Sequence, residues 1–279
     1  QPSVWPFLRS QRFSFATFML SVGLLVFGFG ATGAFIPVVA MRQMGVSSLD
    51  LGNAMGIATF VSAGLGLLIA NVGMKWLAPR LGPLLPVRVL AFAAAASGVF
   101  AATLYLARTP VELFTLMALQ HTFLMAGTMV FPTALQEMTP APLRARLISL
   151  IIMFNMVLGS LSPAVVGAIS DALKPRPDGL MLAMTATSTT ALLLAAGLML
   201  LCGRGYVQTT RAARAVEAAQ TIGLHICGVD VVCETMLRPL EEQNGGIVEV
   251  NAAPGLRMHI SPSFGKGRDV GNAVIDHMF

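Results

Sequence analysis

Six long stretches without a charged side chain constrain this chain more than any other feature. Each holds about 20 or more mainly apolar residues, which is roughly the length a helix needs to cross about 30 Å of hydrocarbon. They run from Arg12 to Arg42, Asp50 to Lys75, Arg88 to Arg108, Glu112 to Glu137, Arg146 to Asp171 and Asp178 to Arg204. Soluble helices are rarely so long and so apolar, and a signal peptide does not account for the five later stretches. The sequence therefore predicts a bundle of six transmembrane helices.

The charge distribution divides the chain into two regions. Only 11% of the residues are charged, against about 25% in a typical soluble domain. Five of the 13 acidic residues precede residue 205, and the other eight follow it. We therefore expect a membrane domain over residues 1–205 and a cytoplasmic domain over residues 206–279. Because the chain begins with Gln1, we also expect it to be a fragment or a processed product.

The basic residues indicate orientation rather than a nucleic-acid partner. The net charge is +5, but no basic run with interleaved aromatic residues occurs. Alternate loops hold ten and four Lys or Arg residues, and the richer set includes both ends of the membrane domain. The positive-inside rule predicts a multi-pass protein of the cytoplasmic (inner) membrane with both termini in the cytoplasm. The three cysteines have no metal-binding spacing, so we expect reduced thiols.

Glycines in the apolar stretches suggest close helix packing. Gly52 and Gly56 form a G-x-x-x-G pair, and Gly64 and Gly66 follow in the same stretch. Small residues allow helix backbones to approach closely in lipid. The residues from Gly28 to Gly33 spell G-x-G-x-x-G, but they lie in mid-span without the preceding strand that a dinucleotide site requires. Helix packing or helix flexing is therefore the expected role of these glycines.

Few polar side chains lie within the predicted spans, and three are candidates for a transport path: Gln120, His121 and Asn155. Polar groups inside a membrane are costly and face the bundle interior or a water path. Gln120 and His121 are adjacent and so point about 100° apart on a helix. His121 either hydrogen-bonds a neighbouring helix or contacts a solute or proton. No Asp or Glu lies in mid-span, which disfavours a carboxylate proton relay.

Loop motifs resemble a transporter family. The fourth span is followed by Gln-Glu-Met-Thr-Pro-Ala-Pro-Leu-Arg-Ala-Arg (136–146), the fifth closes with Ser-Pro-Ala-Val-Val-Gly-Ala-Ile-Ser-Asp (162–171), and the first ends with Phe-Ile-Pro (35–37). Residues 10 to 205 resemble the C-terminal six-helix half of a major facilitator superfamily transporter. The resemblance implies transport of a small solute by two halves that rock around a central site. It also implies a partner for this half, either a missing six-helix unit or a second copy of the chain.

After residue 206 the pattern changes to that of a small α/β segment. A short amphipathic helix is predicted over residues 210–220, a strand over residues 227–233 and a second strand over residues 247–251. Glu249 and Asn251 lie two residues apart and so share one face of a strand. A β-hairpin would place Asp230 beside them. Carboxylate and amide oxygens are ligands that Mg²⁺ accepts, together with substrate phosphates.

The same segment resembles the end of an ATP-grasp domain. The residues that carry the resemblance are Gly-Val-Asp-Val-Val (228–232) and Glu-Val-Asn-Ala-Ala-Pro-Gly (249–255), continuing through Leu-Arg-Met-His (256–259) and Ser-Pro-Ser-Phe-Gly-Lys-Gly (261–267). Residues 212 to 279 closely resemble the cyanophycin synthetases in particular. It implies that Asp230, Glu249 and Asn251 would hold the magnesium of ATP. It also implies a ligase that joins amino acids through an acyl phosphate.

Three functions remain open from the sequence. The first is a truncated secondary transporter fused to an incomplete ATP-grasp segment. The second is a ligase of the cyanophycin synthetase kind, with Mg²⁺ and ATP as cofactors and the membrane part as an anchor. The third is a chimera with neither activity. The segment lacks the upstream Gly-rich loop and the lysine strand with which the ATP-grasp family grips ATP, and the sequence has no G-x-x-x-x-G-K-[ST] phosphate loop for a second ATPase domain. We therefore expect no ligase turnover from the segment alone.

Overall fold

The computed structural model describes residues 5–222, 227–235, 238, 240–243 and 245–251. The chain forms two compact units, Gln1–Thr209 and Thr210–Phe279. Residues from 252 onward, which carry the Pro-Gly part of the ATP-grasp motif, lie outside the described residues. The assignment of one unit to the membrane and the other to the cytoplasm remains a prediction.

Eight α-helices account for most of the described chain. They are α1 (Trp5–Ser10), α2 (Arg12–Gly33), α3 (Ile36–Met44), α4 (Ser48–Leu81), α5 (Leu85–Thr103), α6 (Pro110–Met138), α7 (Arg144–Ala172) and α8 (Gly179–Ile222). The short amphipathic helix predicted over residues 210–220 is not a separate element, because α8 continues without interruption to Ile222. An antiparallel pair, β1 (Gly228–Val232) and β2 (Gly246–Asn251), confirms the predicted small sheet.

Five helical segments of the described residues are long and apolar enough to cross a membrane: Arg12–Met44, Ser48–Leu106, Pro110–Met138, Ala141–Ala172 and Gly179–Ala218. These segments confirm a multi-pass membrane protein. The count differs from the predicted six because α4 and α5 merge into one segment of 59 residues. A short 3-10 turn at Gly82–Leu84 joins the two helices, and Gly82 adopts a positive φ of 53°.

Local signals in the sequence define where the long helices begin. Ser47 caps α4 by accepting a hydrogen bond from the Asp50 backbone N–H at 3.1 Å. Thr109 and Glu112 form a reciprocal capping box at the start of α6, in which each side chain accepts from the backbone N–H of the other residue. Such caps satisfy N–H groups that lack a partner within the helix. They fix the helix starts at the charged residues that bound the apolar stretches.

The helices of the first unit are buried to very different degrees. About half of α2, α5 and α6 faces the interior, where three clusters of apolar side chains form the core. By contrast, α4 buries four residues of its 34, and α7 buries four of its 29. Most of the surface of α4 and α7 is therefore open to lipid or to another protein.

The predicted glycine packing is confirmed at some positions and wrong at others. Gly66 lies where α4 crosses α6, and Gly28 packs against Leu192 of α8. The space around Gly52, Gly56 and Gly64 is open to at least 4 Å. These three glycines therefore make no close contact with another helix of the described residues. Spacing alone does not show which side of a helix meets a neighbour.

Candidate functional site

Gln120 joins four helices in the interior of the bundle. It lies in the middle of α6 and is 1% exposed. Its Nε2 donates hydrogen bonds of 3.3 Å to Thr32 Oγ1 of α2 and to Ser188 Oγ of α8. Its backbone oxygen accepts a hydrogen bond of 2.7 Å from Ser97 Oγ of α5. The sequence identified Gln120 as an interior residue, and the structure adds that its amide is a point of attachment between helices.

Gln120 Oε1 and His121 Nε2, both buried at this junction, have no hydrogen-bond partner among the residues that the structure describes. The Thr32 and Ser188 hydroxyls cannot serve Gln120 Oε1, because both donate to backbone oxygens of α2. An unsatisfied buried polar atom costs about 1–3 kcal/mol. Water or a hydroxyl group of a solute could supply the missing donor to Gln120 Oε1.

His121 and Asn155 occupy different surroundings from Gln120. The His121 ring is 6% exposed, and its centroid lies 5.1 Å from that of Phe29 in α2. Asn155 in α7 is partly buried, and its Oδ1 lacks a partner. In the part of the chain that the structure describes, no hydrogen bond joins Asn155 to Gln120 or His121. The structure thus places Gln120 and His121 against α2. Asn155 lies on α7, which itself packs against α2 where Phe154 and Leu158 meet Gly23.

Sequence reasoning missed the hydroxyl residues that complete the junction. Thr32, Ser97 and Ser188 are fully buried, yet serine and threonine are common in apolar helices and so attract little notice. The available signal was their position in mid-span, where a hydroxyl must bond to a carbonyl or to another polar side chain. That signal identifies a bonded hydroxyl but does not name its partner.

Side-chain hydrogen bonds to carboxylates connect helix ends at two places in the first unit. Tyr206 of α8 is fully buried, and its hydroxyl donates to Glu137 Oε2 of α6 at 2.5 Å. Near the start of α8, Asp178 accepts hydrogen bonds from the Arg176 guanidinium and from the Tyr105 hydroxyl, the latter at 2.7 Å. The Arg176 guanidinium, and after it the Tyr105 hydroxyl, hold the pKa of Asp178 well below its usual range. Asp178 therefore stays ionised at any physiological pH.

The hairpin brings the three predicted metal ligands together. Asp230 in β1 lies directly opposite Glu249 in β2, and Asn251 Nδ2 donates to Asp230 Oδ2 at 3.0 Å. The register shifts after Asp230, so that Val248 is an extra residue in β2. Like charges opposite each other across a strand pair are destabilising. A bound cation would relieve that repulsion.

The donor set suits a hard cation without forming a complete site. Asp230 and Glu249 are exposed and offer carboxylate oxygens, and Asn251 offers an amide oxygen. Oxygen ligands of this kind fit Mg²⁺, which keeps several waters and is completed by phosphates. Within the described ranges, no group of three or more His, Cys, Asp or Glu residues could hold a metal. Assignment of this cluster to magnesium is therefore a proposal.

Sequence comparison confirms the resemblance of one segment to cyanophycin synthetases. The chain is 56% identical over 63 residues to the cyanophycin synthetase of Synechocystis sp. and 54% identical over 65 residues to that of Geminocystis herdmanii. It is 34% identical over 65 residues to the glutathione biosynthesis bifunctional protein GshAB of Clostridium perfringens. Each match covers 23% of this chain, and the chain spans only about 7–8% of the length of these relatives. No family model matches the chain.

Structural comparison confirms the major facilitator fold. The chain matches the proton:xylose symporter XylE of the major facilitator superfamily, solved with bound 6-bromo-6-deoxy-D-glucose, with a TM-score of 0.51 and 17% sequence identity. The match covers 77% of this chain and 54% of the symporter chain. The chain is thus a helical membrane protein with a major facilitator transporter-like fold, joined to a segment similar to part of cyanophycin synthetase.

Proposed function

We propose that the first unit is half of a secondary transporter for a small, uncharged solute. The observation that carries the proposal is the major facilitator fold around a buried polar junction at Gln120. All the polar side chains that the described membrane segments bury are neutral residues: serine, threonine, glutamine and histidine. A charged solute would meet no opposite charge in that interior, and burying an unpaired charge is expensive.

Uptake into proteoliposomes tests this function. We expect saturable uptake of a neutral, hydroxyl-bearing solute and no saturable uptake of a carboxylate or an alkylammonium ion. Proteoliposomes with heat-unfolded protein provide the control for leakage. Saturable uptake of only a charged solute would contradict the proposal.

We propose that the chain crosses the membrane six times. The segment Ser48–Leu106 has 59 residues and would be about 90 Å long as one helix, three times the thickness of the hydrocarbon layer. The turn at Gly82 supports separate crossings by α4 and α5. With the ten-to-four loop asymmetry of Lys and Arg, six crossings of an inner membrane leave both termini in the cytoplasm.

Protease protection tests this topology. In inside-out vesicles we expect trypsin to cleave after Arg211 or Arg214 without detergent. In right-side-out vesicles the same sites should be protected until detergent is added. Cleavage only in right-side-out vesicles would contradict the orientation.

A second six-helix unit is the proposed partner of this half. The similar symporter chain is nearly twice as long as the part that this chain matches. The open faces of α4 and α7 supply the surface, since each helix buries only four residues. A separate six-helix unit and a second copy of the chain are both compatible with that surface.

The second unit supports a subordinate proposal of magnesium-nucleotide binding. The pairing of Asp230 with Glu249 and the hydrogen bond from Asn251 to Asp230 support such a role, and the similarity to cyanophycin synthetase favours it. When bound, Mg²⁺ would neutralise phosphate charge. Because the chain spans about 7% of those enzymes, we propose that it does not ligate amino acids by itself.

A ligation assay tests that proposal. With ATP, magnesium, aspartate and arginine we expect no phosphate release above that of the D230N/E249Q variant. Turnover that depends on Asp230 and Glu249 would overturn it and favour a ligase anchored to the membrane. Coding-DNA reads that never cross residues 202–214 would instead identify an artefactual chimera without either activity.

A further inference from the structure

A regular series of hydrogen bonds joins α2 to α8. Three side chains donate to backbone oxygens across the pair: Cys202 Sγ to Ser14 O at 3.4 Å, Ser21 Oγ to Ala195 O at 2.7 Å, and Ser188 Oγ to Gly28 O at 2.8 Å. Successive bonds are seven residues apart on both helices, ascending in α2 and descending in α8. The two helices are therefore antiparallel and in a fixed register over two heptads.

The seven-residue spacing has a geometric consequence. A repeat of seven keeps one seam of a helix facing its partner when the two helices wind around each other with a left-handed twist. Every side chain that donates in the series is fully buried. At Gly28 a Cβ would lie 2.8 Å from Leu192 Cγ, so the absence of a side chain permits the close approach. The seam thus combines small residues with one hydrogen bond per heptad.

Gln120 fastens this pair to α6. Its Nε2 donates to Ser188 Oγ, which makes the last bond of the series, and to Thr32 Oγ1, one turn farther along α2. The α2–α8 pair and α6 are therefore joined at one level by a buried amide. A bond of the same kind also joins α7 to α2, because Ser162 Oγ donates to the Phe27 backbone oxygen at 2.7 Å.

We propose that α2 and α8 form one rigid element, held by a side-chain-to-carbonyl ladder of heptad spacing and fastened to α6 by Gln120. The element keeps its internal geometry when the protein binds and moves a solute. The second statement rests on the proposed transport function, and the first does not. In each ladder bond, a hydroxyl or thiol donates to the neighbouring helix instead of to a carbonyl of its own helix. Removal of that donor therefore allows the two helices to slide or rotate against each other.

Spin-label distances test the ladder without a transport assay. In a C202S/C227A/C233A background, in which the serine substitution keeps a hydroxyl donor in place of the Cys202 thiol, labels at L20C and L194C report the α2–α8 separation. Both labelled positions are exposed. We expect one narrow distance distribution for this pair, unchanged by added solute.

A double variant of the ladder provides the decisive comparison. S21A/S188A should broaden the α2–α8 distribution at least twofold. The matched control, S149A/S160A, removes two exposed hydroxyls of α7 that bond only to their own helix, and it should leave the distribution unchanged. A broad or two-component α2–α8 distribution in the parent protein, or no change in S21A/S188A, would overturn the ladder. If the α2–α8 distribution is narrow but the protein shows no solute uptake, the transport proposal is contradicted and the ladder is still supported.

Discussion

A single added methyl group at Gly66 is expected to destabilise the bundle. A Cβ at this position would lie 2.7 Å from Met125 Cβ, 2.8 Å from the Thr122 backbone oxygen and 3.0 Å from the Ala126 backbone nitrogen. Two of these atoms belong to the α6 backbone, which cannot rotate away as a side chain can. Overpacking of this kind typically costs about 1–3 kcal/mol, occasionally more. We therefore expect Gly66→Ala to lower the unfolding temperature of the detergent-solubilised protein by several degrees.

Gly64 offers a matched control on the same helix. It is exposed, and a Cβ there would meet nothing within 4 Å. Alanine is a better helix former than glycine by up to about 1 kcal/mol. Gly64→Ala should therefore leave the unfolding temperature unchanged or raise it slightly. Equal loss of stability in both variants would show that α4 does not cross α6 at Gly66.

Truncation of Gln120 is expected to have the second large effect. Gln120→Ala removes both bonds to Thr32 and Ser188 and leaves a cavity where α2, α6 and α8 meet. Truncating a buried side chain of this size costs about 2–5 kcal/mol. The control is Gln136→Ala, because Gln136 is exposed in the last turn of the same helix. Its substitution should change stability by no more than about 0.5 kcal/mol. Thermal unfolding in detergent measures both.

Gln120→Leu separates attachment between helices from contact with a solute. Leucine fills most of the space, so the loss of stability should be smaller than for alanine, at about 1.5 kcal/mol or less. If Gln120 Oε1 accepts a hydrogen bond from the solute, uptake should fall at least tenfold in this folded variant. Unimpaired uptake would limit Gln120 to joining the helices and would exclude it from the solute path.

The sequence predicted the elements of the fold well, because hydropathy acts locally. The bounding charges placed the starts of the long helices within a few residues, and the structure shows that Ser47 and Thr109 cap two of these starts, those of α4 and α6. The alternation of apolar and polar residues around Glu249 and Asn251 predicted a strand of the hairpin that the structure contains. The prediction was wrong at the C-terminal end of α8, because a change from apolar to polar sequence does not by itself end a helix. The segment after Gly205 becomes polar, but it contains no helix-breaking residue before Ile222, so α8 simply continues.

The candidate sites were predicted only in part. Gln120 was recognised because an amide in a charge-free span must face the interior. Its partners could not be found this way, since Thr32 and Ser188 are 88 and 68 residues distant in sequence. The glycines show the same limit. Gly64 and Gly66 are equivalent as residue types, yet one lies against α6 and the other against open space.

By itself the sequence determined that most of this chain is apolar helix long enough to span a membrane and that its last part, similar to a segment of cyanophycin synthetase, forms a hairpin carrying Asp230, Glu249 and Asn251. Those properties follow from hydropathy and from short-range spacing. Only the tertiary structure decided which residues meet: Gln120 with two hydroxyls, Gly66 with the α6 backbone, and α2 with α8 in heptad register. The physical reason is that a helix shows its apolar character in its own sequence, whereas its neighbours are chosen by packing between faces far apart along the chain.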